Sequence, residues 1–116
     1  MRSRVDDAEM RGNILRHANR FGVSNIAIAA TYAIPSGAPH IQVIDPTSTN
    51  RTVTLPASPK KGDFFILINK GTGTAVLTVQ DSAGTALSPA CTPTISEIAW
   101  VFWDGSKWWN SVGLGS

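Results

Sequence analysis

Two histidines, one cysteine, eight carboxylates and four tryptophans are the residues of this 116-residue chain with chemistry to offer. Their spacing decides which chemistry is open. His17 stands among arginines near the N-terminus, and His40 follows Pro39. Neither has a Cys, Asp or Glu at metal-ligand spacing, so neither is expected to act as ligand or base. Cys91 is alone and forms no intrachain disulfide, and it reads as a small packed residue. Beyond residue 20 the acids are Asp45, Asp63, Asp81, Glu97 and Asp104. All but Glu97 fall in turn segments, where aspartate bonds its own backbone. Nothing singles out a carboxylate pair for acid and base work. Gly71-Thr72-Gly73 lacks the lysine and Ser/Thr continuation of a phosphate loop. Asn50-Arg51-Thr52 matches a glycosylation acceptor, which matters only on a secretory route. This inventory predicts no enzyme, no cofactor and no metal site.

The tryptophans carry a different chemistry. Trp100, Trp103, Trp108 and Trp109 lie within ten residues. They fall on the two arms of one predicted hairpin, Ile98 to Trp103 and Lys107 to Val112, joined through Asp104-Gly105. Side chains alternate between the faces of a strand, so Trp100 and Phe102 share one face and Trp103 takes the other. Trp108 and Trp109 are split in the same way. Both faces of the hairpin are thus aromatic. One can fill the domain's own core, and the other needs cover. A second subunit would supply it, which makes these four tryptophans the expected subunit interface. The competing reading is a sugar-stacking platform, as in a carbohydrate-binding module.

Charge is unevenly placed. Residues 1–20 hold Arg2, Arg4, Arg11, Arg16 and Arg20 against Asp6, Asp7 and Glu9, which accounts for the whole formal charge of +2. The rest of the chain is balanced. Arginine favours fixed bidentate contacts with carboxylates or phosphates, so this segment is expected to meet a partner surface. The acids at 6–9 stand where a signal peptide would turn apolar, so no secretion is expected and assembly belongs in a cytoplasm. No apolar run approaches the ~20 residues of a membrane span.

Ile14, Leu15, Ala18 and Phe21 have helical spacing, with Gly22 as a stop. A short helix is predicted at about 13–21, inside a basic arm over 1–22. So short a helix is unstable alone and must pack on its own β-domain or on another chain. Residues 23–37 read as a linker or an extended strand. Residues 38–116 read as a β-domain, with strands near 41–44, 51–55, 64–68, 75–80, 98–103 and 107–112. The continuous apolar run from Phe64 to Ile68 calls for cover on both faces. Turns recur roughly every 8–12 residues, so the predicted class is all-β, a small antiparallel β-sandwich or barrel, jelly-roll-like.

The strings Arg51-Thr52-Val53-Thr54-Leu55-Pro56-Ala57-Ser58-Pro59-Lys60-Lys61-Gly62-Asp63, Ile68-Asn69-Lys70-Gly71-Thr72-Gly73-Thr74, Val79-Gln80-Asp81-Ser82-Ala83-Gly84-Thr85 and Trp103-Asp104-Gly105-Ser106-Lys107-Trp108 follow one another along the chain. In that order they resemble a module recurrent in tailed-bacteriophage virion proteins: capsid decoration (cement) proteins, tail fibres and tail spikes. The resemblance covers roughly residues 41–112 and leaves the arm outside. It implies a homotrimer and a place in the virion.

A compact module plus an arm suits a part that docks on a shell in many copies. The leading expectation is therefore a capsid decoration protein, a homotrimer on the capsid surface whose partner is the major capsid protein. Nucleic acid and membrane are not expected partners. Arg2, Arg4, Arg11, Arg16 and Arg20 would pair with capsid carboxylates, and Ile14, Leu15 and Phe21 would bury against the capsid or a neighbouring arm. A tail fibre, tail spike or baseplate component is the alternative, and a carbohydrate-binding module the second.

Overall fold

The computed structural model describes residues 22–114. The predicted helix and the arm residues Arg2, Arg4, Arg11, Ile14, Leu15, Arg16, Arg20 and Phe21 lie outside the described residues. Those described are all-β, with eight strands in two sheets: β1 (Val23–Ala27), β2 (Tyr32–Ala33), β3 (Ile41–Asp45), β4 (Arg51–Thr54), β5 (Phe64–Asn69), β6 (Leu77–Gln80), β7 (Glu97–Trp103) and β8 (Trp108–Leu114). The stretch 23–37 supplies β1 and β2, so the β-structure starts before residue 38.

The strand order is β1-β3-β5-β7-β8 in one sheet and β2-β4-β6 in the other. Each step from β1 to β7 therefore crosses to the opposite sheet. Neighbours in a sheet are one full circuit apart, and they run parallel: β1 with β3, β3 with β5, β2 with β4 and β4 with β6. The result is a short two-sheeted solenoid in which the crossover of each parallel pair is a strand of the facing sheet. Only β5–β7 and β7–β8 are antiparallel.

This corrects the expected antiparallel, jelly-roll-like order. The turn residues were in the right places, but the turns from β1 to β6 are corners between sheets, and the Asp104-Gly105 turn makes a hairpin within one. Asp-Pro, Pro-Lys-Lys-Gly and Asn-Lys-Gly serve both geometries, because each needs the same backbone freedom and the same local hydrogen bonds.

The corners stack as the strands do. Ile28 N donates to Asp45 O at 2.8 Å and Lys70 N to Ile44 O at 2.8 Å. At the opposite rim Ile34 N donates to Thr54 O and Leu55 N to Gln80 O. Asn69 holds the third corner from inside. Its Nδ2 donates to Ala75 O and Pro93 O, both at 3.0 Å, and its Oδ1 accepts from Gly71 N at 2.9 Å. Gly71 packs so closely on the corner below that a Cβ there would sit 2.9 Å from the Pro46 ring.

Alternate residues point inward and form one core. Ile44, Phe65, Leu67, Ala99 and Val101 of the larger sheet meet Val53, Leu55, Leu77 and Val79 of the smaller. Burial of these side chains is the main stabilising term, about 1.5–3 kcal/mol for each large one. The far edge of the smaller sheet is covered. Val79 N donates to Cys91 O and Leu77 N to Pro93 O, so residues 91–93 cover the outer edge of β6. At the near end, β1 and β2 each pair on one side only among the described residues.

Candidate functional site: the outer face of the five-stranded sheet

Because the strands are in register, outward side chains line up in rows across the larger sheet. One row is Val23, Ile41, Ile66 and Trp100, followed by Ser111. A second is Phe64, Phe102 and Trp109. A third carries Val43, Ile68 and Ile98, and it reaches Asn25 at one edge and Gly113 at the other. The face is apolar over all five strands. Trp100, Phe102 and Trp109 are 54%, 45% and 50% exposed, and Val23 is 58% exposed. The isoleucines and Val43 between them are half-buried by their own neighbours. Charge is confined to the margins. Asp45 ends the outward set of β3, and Lys70 Nζ donates to Asn25 Oδ1 at 3.0 Å.

The four tryptophans do not form one surface. Trp100 and Trp109 point outward. Trp108 is 6% exposed and belongs to the core, and Trp103 packs against that core. The rings of Trp103 and Trp108 lie 5.4 Å apart, tilted by 56°. Of the four tryptophans expected at a subunit interface, Trp103 and Trp108 thus face the core, while Trp100 and Trp109 share the outer face with Phe102.

The hairpin turn fixes Trp109. Asp104 Oδ1 accepts from Ser106 N at 2.7 Å and Lys107 N at 2.8 Å, while its Oδ2 accepts from Trp109 Nε1 at 2.7 Å. Lys107 Nζ sits 4.3 Å from the centre of the Trp109 ring, a cation–π contact. The indole N–H, followed by the two backbone N–H groups, pulls the Asp104 carboxyl down to about 2. Gly105 completes the turn with a φ of 105°, which side-chain-bearing residues rarely adopt.

The remaining chemical residues are accounted for locally. His40 is buried, stacks on Phe64 with ring centres 4.0 Å apart, and places Nδ1 2.7 Å from Phe64 O. Cys91 is buried, and desolvation pushes its thiol up to about 12, far from a reactive thiolate. Glu97 caps a local turn through Thr94, whose backbone and hydroxyl bonds lower its carboxyl. Among the described residues no three His, Cys, Asp or Glu groups gather as a metal site.

No family model, curated protein or solved structure matches this chain.

The rows contributed by β1, β3 and β5 were not foreseen as part of the surface. One signal for them was present. A continuous apolar run at 64–68 demands cover on both faces, and the described residues cover only the inner one. The partners in each row could not be assembled without knowing that strands one circuit apart are neighbours.

Proposed function

We propose that this chain is a structural virion protein of a tailed phage, built to self-associate as a homotrimer and to hold to the capsid surface through its basic arm. The observation that carries the self-association is the outer face of the larger sheet. An apolar surface spanning five strands, with two tryptophans and a phenylalanine about half exposed, is costly to leave in water and typical of an interface. A second and third copy would bury it.

The capsid assignment rests on the resemblance of residues 41–112 and on the charge asymmetry. The described module has five basic and five acidic residues, whereas the arm carries the excess. Two surfaces then divide the work, with the sheet face joining copies and the arm reaching the shell. Trimerisation would present three arms together, so modest contacts would combine into firm attachment. The arm precedes β1 in the chain, and among the described residues β1 pairs on one side only, so that edge would suit the arm or a capsid segment.

Imaging intact particles that carry a labelled copy of the full chain tests the assignment. Label distributed over the shell is expected. Label confined to tails would contradict the decoration role and favour the tail reading.

A further inference from the structure

The inward tryptophans border a second feature, on a different side of the molecule from the sheet face. Where β4 and β6 end and the β7–β8 hairpin turns, Trp103 and Trp108 line an open cleft of about 320 Å³, together with Pro56, Asp81, Ser82 and Ser88. That volume lies at the lower end of the ~300–1,000 Å³ typical of ligand clefts. We propose that this cleft binds a neutral saccharide, with Trp103 as the stacking platform.

The chemistry of the wall selects the class. Trp103 is only partly covered by the core, so part of its ring faces the cleft and offers an apolar surface to the C–H face of a sugar. Asp81 and three serines, Ser82, Ser88 and Ser106, bring one strong acceptor and three hydroxyls within the same small volume, which suits a ring bearing several hydroxyls. The Asp81 carboxylate is rigidly held, because Ala83 N and Thr85 N both donate to Oδ1, at 3.0 and 2.9 Å. In the proposed complex its Oδ2 accepts from a ligand hydroxyl.

Other ligand classes fit less well. Lys107 also lines the cleft, so its ammonium balances the Asp81 carboxylate and the wall carries no net charge. A phosphate or carboxylate ligand would therefore gain no net attraction there, whereas a neutral ring loses nothing. A purely apolar segment would strip water from Asp81 and the serines without replacing their hydrogen bonds.

The test uses the full chain on an array of neutral hexose and N-acetylhexosamine oligosaccharides, followed by NMR titration with the strongest hit. Saturable binding is expected, with the indole N–H signals of Trp103 and Trp108 shifting and those of Trp100 and Trp109 unmoved. Trp103→Ala is expected to weaken binding at least tenfold, and Thr72→Ala, exposed at the opposite rim, to leave it unchanged. The indole signals need no variant, so they decide the matter even if Trp103→Ala folds poorly. Absence of saturable binding across the array would overturn the proposal. So would a response confined to Trp100 and Trp109, which would move the sugar to the outer face.

Discussion

Asp104 shows how much one side chain can organise. It closes the β7–β8 turn through two backbone N–H groups and anchors the Trp109 indole through its second oxygen. These bonds favour the charged form, so its folded pKa of about 2 lies below the ordinary 3.8. A depressed folded pKa means that the stabilisation is complete above the unfolded value and is lost as pH falls through the folded one. The Trp109 indole N–H signal should therefore hold steady on acidification past 3.8 and shift with a midpoint of about 2. Asp104→Asn should abolish that titration. A midpoint at the ordinary 3.8 would show that the indole bond does not form in solution. The Asp-Gly pair was legible as a tight turn, because glycine supplies the backbone conformation that a two-residue loop demands. The indole bond was not legible, since it depends on which strand face Trp109 occupies and how its ring is rotated.

At the scale of elements, the corners decide the architecture. Strands near 41–44, 51–55, 64–68 and 98–103 were legible from alternation and turn residues, and the structure places strands there. Their partners were not, because a corner and a hairpin turn draw on the same residues. Asn69 is where the difference becomes physical. In a hairpin an asparagine need only serve its own turn. Here it also reaches Pro93 O on the segment that returns beside β6, and so ties the third circuit to the closing end. Asn69→Ala removes the side-chain partners of the Ala75 carbonyl and the Gly71 N–H in a buried setting, and one of the two donors to the Pro93 carbonyl. Each such group left unsatisfied costs about 1–3 kcal/mol. The urea unfolding midpoint should fall by a matching amount, with an unchanged slope. A loss below ~0.5 kcal/mol would mean that the corner is held by something other than this side chain.

For the whole molecule, the proposed function gives assembly two surfaces: the arm outward to a shell and the larger sheet inward to sister copies. Part of this was legible. The hairpin had to be aromatic on both faces, and the charge excess had to lie within residues 1–20. The extent of the apolar face was not legible, because Val23, Ile41 and Ile66 are far apart in sequence and adjacent only in the solenoid. Deleting residues 1–22 should leave the trimer intact, because the core and the sheet face lie in residues 23–114, and should abolish sedimentation with empty capsids. Retained co-sedimentation would refute the role of the arm. The most direct test of the account is the solution mass of the full chain, measured by light scattering during gel filtration, for the wild type and for Trp100→Glu combined with Phe102→Ser. Both positions are about half exposed, so the double variant should keep its core and its unfolding transition. The account predicts a trimeric wild type and a folded, monomeric variant. A monomeric wild type, or a trimer that survives both substitutions, would contradict it.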